Sequence, residues 1–347
     1  HALSRASREV AQECFSSAQP RRREPLGSSS QPLEQLKRWL REGVLGRQRD
    51  ASERALQSAL EKESEGAAEA YFTAVSDRVY VNYGHQFDAV NKAFELLDHI
   101  GWENADNIIP LTLQQVLGMR GAEEKASWHS PVELIEPLRD AEGRLEKSLA
   151  SPRNHSWEAD EAFIELLLGD DALEILNQLE SALLDGAPPV KLAETVAHAA
   201  ALRLARFAKS NEVADWFAPQ HTFIFCNAVC QAIRRVESAD VVRSLFHGAL
   251  AIYQDRFFNV PKAKFPSDNE IASLPEDPET ILKDLLAEYD KRGEWNGVGK
   301  LVARYIRLGH PLNGLINTLT LATIREDLDF HTFQVLEAAV CLSERFS

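Results

Sequence analysis

From Pro32 onward the apolar residues recur at the three-and-four spacing of an α-helix, and almost nowhere at the two-residue alternation of a strand. Side chains three and four positions apart share one face of a helix, so each such run defines a stripe that must be covered by another element. Leu33, Leu36, Trp39 and Leu40 make one stripe, and Phe87, Val90, Phe94 and Leu97 another. The same reading predicts helices over 111–117, 158–168, 172–184, 190–207, 221–236, 241–258, 278–292, 297–308, 313–325 and 329–345. Pro110 is expected at the first turn of its helix, where a missing N–H costs nothing, and Asp171 is expected to cap the helix that follows it. Only Val79-Tyr80-Val81 has strand-like composition, and no Asn-Gly or Asp-Gly pair joins two alternating runs. The expected fold class is all-α, an irregular multi-helix bundle or a stack of helix pairs without significant sheet. His221-Thr222-Phe223 is echoed by His331-Thr332-Phe333, but no fixed period follows from it.

At 347 residues the chain is long enough to bury a sizeable core. Residues 1–31 read as an N-terminal helix fragment (residues 4–15) and a linker rich in Pro, Ser and Arg, whose run Arg21-Arg22-Arg23 is a solvated tether. Residues 32–347 are expected to form a single large helical domain, with a possible sub-boundary near residue 150. The stretch 259–277, with Pro261, Pro266 and Pro275, reads as a long extended loop.

A formal charge of −15 opposes nucleic-acid binding, which needs clustered Lys and Arg to displace counterions. No apolar run reaches membrane-spanning length, and the first residues lack a signal-peptide core. Four cysteines occur without redox or zinc spacing, and Cys226 and Cys230 fall one helical turn apart in an apolar run, as buried thiols would. A cytoplasmic location is the expectation. The chain begins with His, so a longer parent protein is also expected.

Ten histidines are the most unusual count. His85, His198, His221, His247 and His331 fall in helical, apolar settings, whereas the others lie in loops, at helix ends or at the terminus. Glu194 stands one turn before His198 and Asp327 one turn before His331, each close enough to orient an imidazole. Asp88 follows His85 by three residues. Any one such histidine is more often a hydrogen-bonded core residue than a ligand, because a buried ring needs a polar partner wherever it sits. A convergent set would be either a polar network or a metal or cofactor site.

Motif searches narrow the chemistry. Neither the paired Glu-x-x-His of di-iron bundles nor His-Glu-x-x-His is present. No P-loop, G-x-G-x-x-G or G-x-S-x-G occurs. Asp255 and Arg256, beside Phe257 and Phe258, are candidates for a buried ion pair of structural character. Trp102 and Trp216 read as packing anchors.

Several long phrases carry a resemblance. They are YGHQFDAVNKAFELLDHIGW (83–102), SWHSPVELI (127–135), ARFAKSNEVADWFAPQHTFIFCNAV (205–229), LFHGALAIYQDRFFNVP (245–261) and REDLDFHTFQVLEA (325–338). Together they resemble a helical bacterial family of questin oxidase-like proteins, often found beside a Rieske iron–sulfur domain. The resemblance covers roughly a third of the chain. It implies an all-helical fold and, by association, oxidoreductase or monooxygenase chemistry on a small ketone- or quinone-like molecule. His85, His221, His247 and His331 lie inside the resembling phrases. The four cysteines cannot supply Cys-x-His and Cys-x-x-His, so no Rieske cluster is held by this chain.

Two functions follow as expectations. In the first, His85, His221, His247 and His331 line an apolar pocket between helices, one imidazole acts as general base, and Arg203 or Arg256 stabilises developing oxyanion charge. The cofactor is unassigned. Iron is one option, with His198, His221, His247, His331 and Asp327 as the ligands to draw on. In the second, the chain is a non-catalytic helical module that binds a hydrophobic ligand or a redox partner protein, steered by its acidic surface.

Overall fold

A computed structural model describes residues 23–26, 31–291, 296–326 and 328–346. Among these, every regular element is a helix and no strand occurs, as the periodicity predicts. No described helix is long and apolar enough to cross a membrane. The readings that fall on residues 4–15, Cys14, Arg21, Arg22 and Asp327 lie outside the described residues. Arg23 is described, and its Nε pairs with Asp50 Oδ1 at 2.6 Å on the surface.

The chain forms two compact units, Arg21–Pro261 and one that includes Lys262–Ser347. The division falls inside the proline-containing stretch 259–277, and residue 150 lies within the larger unit. That stretch also holds a short helix over Asp268–Ile271.

The larger unit opens with α1 (Leu33–Leu45), α2 (Arg49–Lys62) and α3 (Ser64–Ser76), packed on one another. Leu36 and Leu40 of the α1 stripe are fully buried, with Leu33 and Trp39 half-covered beside them. α4 (His85–Ile100) buries Phe87, Val90, Phe94 and Leu97, the whole of its stripe. α5 runs over Ala105–Leu117, so Pro110 sits inside the helix and not at its start. A proline there removes the N–H that would bond the carbonyl four residues back. The buried Gln57 of α2 replaces it, its Nε2 donating to Asp106 O at 3.0 Å. Replacing Gln57 by Leu would leave that carbonyl without this donor. We expect a loss of about 1–3 kcal/mol in urea unfolding, and no loss would show that water takes its place.

Shorter helices follow: α6 (Ile135–Glu142), α7 (Leu145–Leu149) and α8 (Glu161–Leu167). α9 (Ala172–Leu184) is capped by Asp171, which accepts from Leu173 N and Glu174 N as its position predicts. The centre is built from α10 (Pro189–Ala205), α11 (Phe217–Arg235) and α12 (Ala239–Gln254), packed on each other and on α4 and α9. α11 is buried continuously from Thr222 to Cys230, which is why its sequence is apolar almost all round. Gly248 of α12 faces α11 so closely that a Cβ there would lie 2.9 Å from Cys226 Sγ. The close approach that Gly248 permits is therefore helix against helix. Cys226 and Cys230 are buried, and burial pushes the Cys226 thiol well above its ordinary value.

The smaller unit contains α13 (Asp268–Ile271), α14 (Pro278–Tyr289), α15 (Asn296–Arg307), α16 (Leu312–Arg325) and α17 (Phe330–Phe346). Its core is Ile281, Leu285, Leu301, Tyr305 and Leu315. Asp277 caps α14, and the Tyr305 hydroxyl donates to Pro311 O at 2.9 Å, fixing the turn between α15 and α16.

Candidate functional site

His85 and His221 stand 136 positions apart in sequence but meet in the larger unit, their rings edge to face with centroids 4.5 Å apart. Both are half-buried. One ring nitrogen of His85 lies within 4.8 Å of one of His221. His221 occupies the second turn of α11, and His85 is the first residue of α4.

The backbone that delivers His85 is unusual. Tyr80, Asn82, Tyr83 and Gly84 have φ of 41°, 42°, 61° and 90°. Asn tolerates this left-handed region and Gly prefers it, but Tyr does not, so the surroundings must hold two tyrosines in place. Gly84 is needed on two counts, since a Cβ there would also fall 2.6 Å from Phe225 Cβ. The segment is tied down from residues 120–123. Asn82 N donates to Arg120 O at 2.9 Å, and Arg120 N returns a bond to Asn82 Oδ1 at 3.0 Å. Ala122 N donates to Val79 O, and Val79 N to Glu123 Oε2 at 2.9 Å. Val79-Tyr80-Val81, strand-like in composition, is thus a strained turn.

Aromatic rings from this turn and from the start of α11 border His221. Tyr83 lies 5.9 Å from His221 by ring centroids, and Phe217 stacks on His221 at 6.2 Å. Lys125 Nζ sits 3.3 Å from the centre of the Tyr83 ring. Beneath them, Tyr80 packs against Phe225 and Trp128.

A buried polar chain runs behind His221. Its neighbour Thr222 donates from Oγ1 to Asp255 Oδ2 at 2.6 Å, and that hydroxyl is 3.1 Å from Tyr80 Oη. With the Thr222 proton on the carboxylate, Tyr80 is the donor in the second bond. Burial drives the Asp255 carboxyl up to about 7, although the Thr222 bond and the Arg203 charge both oppose the rise. Burial likewise pushes the Tyr80 phenol well above its usual value, so Tyr80 stays protonated.

Within the larger unit, the other expected site residues have different surroundings. His247 is 1% exposed, and its Nε2 meets Glu142 Oε1 at 2.6 Å, while Arg139 Nη1 holds the other carboxylate oxygen at 2.7 Å. Arg203 donates to Ile252 O, Asn259 Oδ1 and Leu168 O. Two of these carbonyls belong to the ends of α12 and α8, where helices lack internal donors, so Arg203 ties two helix termini together. Burial lowers its guanidinium to about 10. The expected Asp255–Arg256 pair does not form. Arg256 lies over the rings of Tyr253 and Phe257 and donates to Tyr253 O, and Asp255 turns inward to Thr222. On α10, burial and then the Arg206 charge lower the pKa of His198, and Glu194, foreseen as its partner, pairs with Arg234 of α11. In the smaller unit, His331 Nδ1 is 3.5 Å from Asp329 Oδ2 and its ring lies against Phe330.

Sequence reasoning does not name Tyr80, Tyr83, Lys125 or Thr222 as site residues. The local signal that could point to them is the Asn-Tyr-Gly run at 82–84, since Asn and Gly favour the left-handed backbone found there. Comparison with protein-family models, with curated proteins and with solved structures finds no match for this chain.

Proposed function

We propose that the larger unit is an oxidoreductase domain that binds a small ketone- or quinone-like molecule at the His85–His221 pair. The observation that carries this reading is the meeting of two half-buried imidazoles from distant helices, rimmed by Tyr83 and Phe217. Flat aromatic faces suit a planar ligand, and an imidazole at the rim is suited to take a proton from it near neutral pH. If iron is the cofactor, these two residues supply two of the three protein ligands that a catalytic metal usually takes. The strained turn at 80–84 supports the reading, since such strain concentrates at binding and catalytic sites.

Binding of 1,4-naphthoquinone to the full chain, followed by tryptophan fluorescence, provides the test. His221→Gln and His85→Gln should each weaken it at least tenfold while melting close to the parent. Unchanged binding in both variants rules the site out. Iron content and an absorbance spectrum of protein purified without chelators separate a cofactor enzyme from one that works by acid–base chemistry alone.

A second reading is a non-catalytic helical module. It is favoured by the exposed apolar residues Val213, Trp216, Phe217, Phe257 and Val260 on the same unit, which suit a partner surface. His247, committed to Glu142, also fits a structural role better than a catalytic one.

A further inference from the structure

Lys125 joins two tight turns, Ala122–Glu124 and Ala126–Trp128, and its side chain runs beneath Tyr83. The Nζ atom is buried and has no hydrogen-bond partner. The nearby acids are engaged elsewhere: Glu123 Oε2 accepts from Val79 N, and Glu124 pairs with Arg78 at 2.8 Å. The ammonium therefore rests on a π face alone, a weak substitute for an anion. Burial accordingly lowers its pKa.

The ring that covers it faces solvent. Tyr83 is 51% exposed and held at a left-handed φ of 61°. Its ring touches both the Lys125 ammonium and His221, so moving it outward would open one space bordered by a cation, an imidazole and the Phe217 face beyond. An aromatic ring entering there would replace Tyr83 on Lys125, and a negative oxygen on that ring would supply the missing acceptor.

We propose that Lys125 is the counter-ion for an aromatic carboxylate and that the ligand's ring takes the position that Tyr83 occupies over Lys125. The proposal rests on reading the His85–His221 rim as a ligand site, and it narrows the class of molecule the rim takes.

The test compares 2-naphthoate with its neutral analogue 2-naphthamide, titrated into the full chain and its variants at neutral pH. The parent should bind the carboxylate at least tenfold more tightly. Lys125→Met should erase that preference, and Lys125→Arg should keep part of it. Equal affinities in the parent, or a preference that survives in Lys125→Met, would overturn the proposal. If 1,4-naphthoquinone still binds in those circumstances, the ligand site itself stands and only the role of Lys125 fails. If none of the three molecules binds, both readings fall.

Discussion

Replacing Glu142 by Ala should lower stability by about 3 kcal/mol, the upper end of the loss when a buried group is left without its charged hydrogen-bond partner. The pair joins α6 to α12 in the interior, and the 1%-exposed His247 ring would lose its carboxylate. Arg139 would lose its partner as well, although it keeps its bond to Asp77 O. Glu142→Gln keeps one acceptor oxygen, for Arg139, and its amide NH2 can donate to a neutral His247 Nε2, so it should cost less. The measurement is the urea midpoint at constant m-value, and a shift below about 1 kcal/mol would show that the pair is weak.

The same group gives an acid limb. Burial would raise the Glu142 carboxyl, but the His247 bond and charge, with Arg139, overturn this and hold it at about 2 against an ordinary 4.5. The folded state therefore favours the ionised form. The resulting stabilisation, about 3 kcal/mol, is complete above the unfolded value and fades as pH falls from about 5 towards about 2. Glu142→Gln should lack this part of the parent's pH dependence.

Asp255→Asn should act in the opposite pH range. With its folded value at about 7 and its ordinary value at 3.8, Asp255 binds more protons folded than unfolded between those limits. Its contribution is therefore most favourable below about pH 4 and is lost as pH rises through about 7, a swing of about 4 kcal/mol. Asparagine has no proton to lose and can still accept from Thr222. The variant should gain relative stability over the parent on going from pH 5 to pH 8. Parallel stability–pH curves for the two proteins would show that Asp255 is already ionised in the folded chain. Because Thr222 adjoins His221, the same variant also reports whether this chain shapes the pH profile of ligand binding at the rim.

The helices were legible because burial of a stripe needs only local spacing, and the α1 and α4 stripes are covered as their sequences required. Pro110 shows the limit of that logic. Its placement inside α5 depends on Gln57, 49 positions away from the carbonyl it serves, and no local rule supplies that donor. Domain organisation was legible only in part: the proline-containing loop was visible, but the division within it was not. Among the site residues, helical context picked out His85 and His221, yet gave His247, His198 and Arg203 equal standing. Apolar surroundings look alike whether a ring ends on a carboxylate or at an aromatic rim.

Sequence by itself determined the all-helical class, the buried thiols of α11 and the Asp171 cap, because each follows from residues within one turn of each other. Only the tertiary structure decided that His85 meets His221, that Asp255 turns to Thr222 and away from Arg256, and that Lys125 lies under Tyr83 without an acceptor. Those outcomes depend on where buried polar groups find partners across the fold, and such partners are fixed by packing rather than by spacing along the chain.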